Sequence, residues 1–223
     1  MSNEEFDREV DEELRREQMK KIWDQFGPWM IGLAVLIVAV TAGFKGWDYW
    51  TNLQSAESSD RFLVASSLTA DGKHDEALNA LIALKADGYG GYPVLAGFRI
   101  AATKIAQDDK VGAIAEFDTL ATSSELSTLL QDFARVRAAL LALDVEGGAA
   151  AIARVQDLIA DSAYRHTARE IVVLAHYEDG AFEKAQQALD QLLLDSDTPA
   201  AVKQRAGLIA DLVQGKIGSA GSN

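Results

Sequence analysis

The sequence predicts an all-α protein: one hydrophobic helix near the N-terminus able to cross a bilayer, then a solenoid of about four degenerate helical hairpins closed by a capping helix. Three observations predict it. Residues 25–44 are 20 consecutive positions without a formal charge, bracketed by aromatic residues. Residues 55–216 carry the apolar periodicity of helices, with no long apolar/polar alternation that would mark a strand. Within that stretch one pattern recurs about every 34 residues.

Composition narrows the class. The chain has 223 residues, enough for one ordinary domain and an extra segment, and 48% of them are apolar, too many for a disordered protein. Only three prolines occur, and Pro93 and Pro199 sit where helical patterns break, which favours long helices. No cysteine is present, so a disulfide scaffold, a thiolate zinc site and a cysteine nucleophile are excluded together. The net charge is −13, of which 25 acidic and 15 basic residues beyond residue 45 leave −10. That balance argues against nucleic acid, which needs a basic face to displace counterions, and against adhesion of the domain to anionic headgroups.

A helix over residues 25–44 rises about 30 Å, the hydrocarbon thickness of a bilayer. A buried core helix is the alternative, but it gives no reason for the bracketing rings: Trp23, Phe26 and Trp29 before the run, and Phe44, Trp47, Tyr49 and Trp50 after it, are the expected interface residues. A signal peptide is disfavoured by the charged residues that precede the run and by the lack of a nearby small-residue cleavage site. Arg8, Arg15, Arg16, Lys20 and Lys21 precede the span while Lys45 and Arg61 follow it, which predicts a cytoplasmic N-terminus. In a bacterium the remainder lies in the periplasm, where a chain without cysteine is safe from stray oxidation.

The predicted organisation is therefore a charged helical tail over 1–24, the span over 25–44, a juxtamembrane linker over 45–56, a periplasmic repeat domain over 57–216 and a disordered C-terminus over 217–223. In the tail, Ser2 and Glu5 fit a capping box, and Asp11/Arg15, Glu12/Arg16 and Glu17/Lys21 are acid-before-base pairs four residues apart. Phe6, Val10 and Leu14 form a thin apolar stripe. Docking on a partner helix and a merely solvated helix extending the span both fit it.

Alignment on an alanine that follows a turn gives Ala77, Ala113, Ala151 and Ala185, spaced 36, 38 and 34 residues apart. Four residues later stand Leu81, Phe117, Val155 and Leu189, and seven residues later Leu84, Leu120, Leu158 and Leu192. Twelve residues earlier come Ala65, Ala101, Ala139 and Val173, which lets a preceding helix approach closely. Asp71-Gly72, Asp108-Asp109, Glu146-Gly147-Gly148 and Asp179-Gly180 separate the first helix of each pair from the second. A last helix from Ala200 to about Gln214 caps the stack, with fraying predicted from Gly215.

Gly72-Lys73-His74-Asp75-Glu76-Ala77 and Gly180-Ala181-Phe182-Glu183-Lys184-Ala185 resemble the second-helix signature of tetratricopeptide repeats, although alanine or valine replaces the glycine usual in the first helix and the closing proline is missing. Over its full length the chain resembles the membrane-anchored tetratricopeptide-like family of ancillary Sec translocon subunits, widespread in proteobacteria. The features that carry the likeness are the acidic-then-basic tail, the early span ending in Gly46-Trp47-Asp48-Tyr49-Trp50, and Gly91-Tyr92-Pro93-Val94-Leu95-Ala96-Gly97-Phe98-Arg99 at the opening of a repeat. The resemblance implies a place in the inner membrane beside the translocon and a link to periplasmic chaperones or clients.

Residues that carry chemistry are sparse. His74, His166 and His176 are the only histidines, and none stands at a metal-ligand spacing. Gly88 to Gly91 lacks the Lys-Ser or Lys-Thr of a phosphate loop and reads as a turn between hairpins. Asp108, Asp109, Glu178 and Asp179 read as solvated turn residues, since paired-carboxylate catalysis needs two of them facing across a cleft. Arg61, Arg135 and Arg169 occupy equivalent first-helix positions. They fit either contact with an acidic or carboxylate-bearing partner or ion pairs inside the domain.

The expected function is a membrane-anchored protein–protein interaction scaffold, with no enzyme activity, cofactor, metal or small-molecule substrate. An accessory or assembly subunit of another inner-membrane complex, respiratory or cell-division, is the alternative. A periplasmic hydrolase with paired carboxylates and a cytoplasmic regulatory role for the tail are the remaining readings.

Overall fold

A computed structural model describes residues 3–220, with side chains for residues 15–17 and 19–218. The described residues form nine α-helices and one short 3-10 turn, with no strand. Contacts divide the chain into two units, residues 1–54 and 55–223.

Helix α1 runs from Asn3 to Ala70, and its residues up to 54 make up the described part of the first unit. The helix continues through Pro28, which removes one backbone donor and leaves one carbonyl of the preceding turn without its partner. The capping box at Ser2, the stripe of Phe6, Val10 and Leu14, and the acidic members Asp11 and Glu12 of the tail pairs lie outside the residues whose side chains are described. Residues 45–56, expected to be a juxtamembrane linker, are helical. They contain no proline, and the one glycine, Gly46, costs only about 1 kcal/mol against alanine in a helix interior.

The second unit begins with residues 55–70 of α1 and continues as α2 (His74–Asp87), α3 (Tyr92–Ala106), α4 (Lys110–Ala121), α5 (Thr128–Val145), α6 (Gly148–Val155), α7 (Arg165–Glu178), α8 (Phe182–Leu194) and α9 (Ala200–Ala220). The hairpins are α1–α2, α3–α4, α5–α6 and α7–α8. All sixteen positions of the repeat pattern are buried, none more than 4% exposed.

Each hairpin closes its core with the first helix of the next. Ala65, Leu81 and Leu84 pack with Ala96 and Ile100 of α3. Ala101, Phe117 and Leu120 pack with Ala134 and Ala138 of α5. Ala139, Ala151, Val155 and Leu158 pack with Ala168 and Ile171 of α7. Val173, Ala185, Leu189 and Leu192 pack with Val202, Ala206 and Val213 of α9. Helix α9 thus does for the last hairpin what a further first helix would do. It runs on to Ala220, past the fraying expected at Gly215, and Ile217 packs against the last cluster.

The turns inside the hairpins share one device. Gly72, Asp108 and Gly180 have φ of 76°, 63° and 70°, and the next residue in each case donates its N–H to the carbonyl five residues back: Lys73 to Leu68, Asp109 to Lys104 and Ala181 to His176. This is the glycine-type helix stop that satisfies the orphan carbonyls of the last turn. The third hairpin departs from it. Gly147, with φ 89°, is itself the donor to Ala142, and α6 starts at once and finishes in a 3-10 turn over Gln156–Leu158.

Candidate interaction surfaces

In the first unit the side chains of the uncharged run are almost all exposed. Trp29 is 80% exposed, Tyr49 73% and Phe44 70%, and Trp23, Phe26, Trp47 and Trp50 are exposed as well. An exposed apolar run of this length marks a surface that contacts a membrane or another protein. Thr41, a lone hydroxyl in the run, donates back to the Ile37 carbonyl at 2.8 Å, so it asks no partner of its surroundings. Pro28, Trp29, Gly32, Leu33 and Leu36 line an apolar notch on one side of the helix. By length and composition the helix can cross a membrane.

In the second unit the three predicted arginines part company. Arg61 Nη2 meets Asp87 Oδ1 at 2.6 Å, while Arg169 Nη1 meets Asp195 Oδ2 at 2.5 Å and its Nε donates to the Ile159 carbonyl at 2.9 Å. Arg135 makes no ion pair or side-chain hydrogen bond among the described residues. Two further arginines, Arg99 and Arg137, also lack a carboxylate partner among the described residues. Both stand fourteen residues before a repeat alanine, Ala113 and Ala151, so the same alignment that singled out Arg135 contained them.

Other ion pairs lie about one repeat apart and hold successive hairpins in register. Arg154 of α6 grips Asp118 of α4 through Nε at 3.0 Å and Nη2 at 2.8 Å, and adds Glu146 at 2.6 Å. The hydrogen bond to Asp118 raises the Arg154 pKa above its ordinary value. Arg205 of α9 grips the buried Glu170 of α7 through two bonds of 2.7 Å, and that carboxylate raises the Arg205 pKa too. Lys85 pairs with Glu116, and Lys110 with Asp144 at 3.1 Å.

His166 is buried at the start of α7, with Nδ1 3.2 Å from Thr198 Oγ1. Thr198 gives its own hydroxyl proton to the Leu192 carbonyl at 2.8 Å, so Nδ1 is assigned the proton and donates to Thr198. Burial, and then the charge of Arg165, lower the His166 pKa. Asp195 lies 4.0 Å from the same ring nitrogen. The Asp197 N–H, and then Arg169, hold the Asp195 carboxyl below its usual range.

The remaining candidates serve local structure. Asp109 caps α4 by accepting the Gly112 N–H at 2.8 Å, and Asp179 accepts the Gly148 N–H at 3.2 Å. In the Gly88–Gly91 segment the Gly88 N–H donates to Leu84 and the Tyr89 N–H to Ser58 Oγ, both at 2.9 Å, which makes it an inter-hairpin turn. Among the described residues no group of three or more His, Cys, Asp or Glu is placed to hold a metal. An open pocket of about 570 Å³ in the second unit is lined by Ile159, Arg169, Val172, Ala188, Gln191 and Leu194, with no carboxylate facing it.

Paired helices stacked through shared cores, with ion pairs one repeat apart, are the architecture on which repeat proteins build extended binding surfaces. The profile of one family, described as the tetratricopeptide repeat-like domain, matches residues 20–218. No curated protein sequence matches the chain. With its profile covering nearly the whole sequence, the chain belongs to the tetratricopeptide repeat-like domain family, whose members generally act as scaffolds for protein–protein interaction.

Proposed function

We propose that the chain is an ancillary subunit of the Sec translocon in a bacterial inner membrane, with residues 25–44 in the bilayer, the N-terminus in the cytoplasm and the repeat domain in the periplasm, where it links the translocon to chaperones or client polypeptides. The observation that carries the anchored reading is the bare apolar run bracketed by exposed Trp23, Phe26 and Trp29 on one side and Phe44, Trp47, Tyr49 and Trp50 on the other. The preponderance of Lys and Arg before the run supports the orientation. The translocon assignment rests on the resemblance of the tail, of Gly46-Trp47-Asp48-Tyr49-Trp50 and of Gly91 to Arg99. The scaffold works without covalent chemistry: the helix fixes the repeat surface at the membrane, which raises its effective concentration towards polypeptides emerging there.

A photo-crosslinking amino acid at Trp29 or Trp47 in the full chain, followed by mass spectrometry of the adducts, tests the assignment. Translocon subunits are the expected adducts. Respiratory or cell-division subunits in their place would assign the chain to another inner-membrane complex.

A further inference from the structure

Helix α9 closes the last core with one side only. Val202, Ala206 and Val213 are buried against the fourth hairpin, while Leu208 and Leu212, on the opposite side of the helix, are 65% and 57% exposed. Gln204, Leu208 and Leu212 form one exposed ridge, four residues apart, and beside it a Cβ on Gly215 would meet nothing within 4 Å.

The repeat register tells what this side corresponds to. Leu208 and Leu212 stand thirty-five residues after Val173 and Tyr177 of α7. In the fourth hairpin those two positions are covered by α8: Val173 is wholly buried in one cluster with Ala185 and Leu189, and the Tyr177 ring lies 5.6 Å from that of Phe182. The same offset carries Gly180 and Ala185 to Gly215 and Ala220, so the turn glycine and the repeat alanine recur as well. Helix α9 nevertheless runs through Gly215 to Ala220 without turning. By register it is the first helix of a fifth hairpin, and among the described residues no second helix covers it.

Terminal helices of a solenoid need a polar outer side, because exposed apolar patches mark contact surfaces. Leu208 also departs from Ala65, Ala101, Ala139 and Val173 of the other hairpins, whose small side chains let a joined second helix come close. Leucine holds two packed helices at the ordinary separation of about 8–10 Å, where a leucine of the facing helix matches it. Charge then selects the direction. With Leu208 opposite Leu212 of an antiparallel copy, Arg205 falls opposite Gly215, Asp211 opposite Ile209 and Lys216 opposite Gln204, so no two charges of one sign meet. A parallel pair sets Arg205 on Arg205 and Asp211 on Asp211, and it aligns the two helix dipoles unfavourably. We infer that the uncovered side of α9 is a self-association surface, on which a second copy of this chain lays its own α9 antiparallel, Leu208 of each copy against Leu212 of the other.

One helix from each copy makes the contact, which keeps it below the roughly 1,200 Å² at which stable interfaces begin. A reversible dimer with a Kd on the order of 10 µM is therefore expected.

Sedimentation equilibrium of the full chain in density-matched detergent micelles, from about 1 to 200 µM, tests the inference. A monomer–dimer equilibrium is expected, and the double variant Leu208→Gln, Leu212→Gln should weaken it at least about tenfold. Its circular dichroism melt at low concentration should match that of the wild type, since both side chains lie outside the core. The chain has no cysteine, so engineered thiols report contacts without background. After mild oxidation, Leu208→Cys mixed with Leu212→Cys should give several-fold more disulfide-linked dimer than either variant alone, and more than Val111→Cys on the exposed side of α4. A monomer throughout the concentration range, a dimer that the double glutamine variant retains, or Leu208→Cys linking to itself better than to Leu212→Cys would overturn the proposal. So would Leu208→Cys in native membranes trapping a different protein in place of a second copy.

Discussion

Arg169 and Asp195 stand sixteen residues before and ten residues after Ala185 and meet at 2.5 Å; Arg61 and Asp87 stand at the same two positions about Ala77 and meet at 2.6 Å. The bond ties the first helix of a hairpin to the C-terminal end of its second. The second hairpin has neither partner, with Gly97 and Ser123 at the two positions. The third has both residues, Arg135 and Asp161, but Arg135 forms no ion pair among the described residues, and Ser162 bonds Asp132 instead. Arg169→Ala should therefore lower the melting temperature of the full chain in detergent, and Arg135→Ala should lower it less. The reverse order in circular dichroism melts would mean that this repeated pair is not a structural clip.

Gly148 opens α6 against the end of α7, where a Cβ would lie 2.5 Å from the Ala175 carbonyl oxygen and 2.6 Å from Asp179 Oδ2. A backbone oxygen cannot swing aside as a side-chain end can. Gly148→Ala is expected to destabilise the domain by about 1–3 kcal/mol through overpacking. Gly215→Ala, where a Cβ meets nothing within 4 Å, should be neutral or slightly stabilising. Urea titration of both variants measures the difference, and equal midpoints would contradict the close approach.

The repeat alignment was legible because burial in stacked hairpins obeys one period. Ala77, Leu81 and Leu84 and their counterparts are apolar residues that no exposed helix would need, and all of them are in the core. Turn chemistry was legible for a related reason, since Gly72 and Gly180 adopt the positive φ that glycine permits. The aromatic residues of 45–56 speak to an interface and not to the course of the backbone, so the continuation of the helix through this segment needed the structure. The end of α9 was misread because Gly215 and Gly218 lower helix propensity, while the packing of Ile217 outweighs it. The fate of the arginines needed the structure: the aspartates at Asp87 and Asp195 are visible ten residues after the alanines, but which pairs close depends on loops that vary among hairpins.

His166 gives the domain a dependence on pH with a definite sign. Its pKa is lowered from 6.5 by burial and by Arg165, with Arg169 acting the same way and Asp195 and Asp197 opposing. Between the folded value and 6.5 the unfolded chain binds more protons at this site than the folded one, so stability falls as pH drops through that window and levels off below it. Asp195 acts at lower pH: its carboxyl is held below 3.8, so the stability it adds is present above 3.8 and lost as pH falls through the folded value. Melts of the wild type and His166→Asn from neutral to mildly acidic pH should converge as pH falls below 6.5. Parallel curves over that range would show that His166 keeps its ordinary pKa.

The partition of the full chain between membrane and water tests the account most directly. After lysis without detergent and alkaline carbonate washing of the membranes, the full chain should remain in the pellet, and Leu36→Arg, which places a charge in the middle of the apolar run, should release a fraction of it. Recovery of the unaltered chain in the supernatant, as a soluble protein with residues 25–44 protected from proteolysis, would contradict the account.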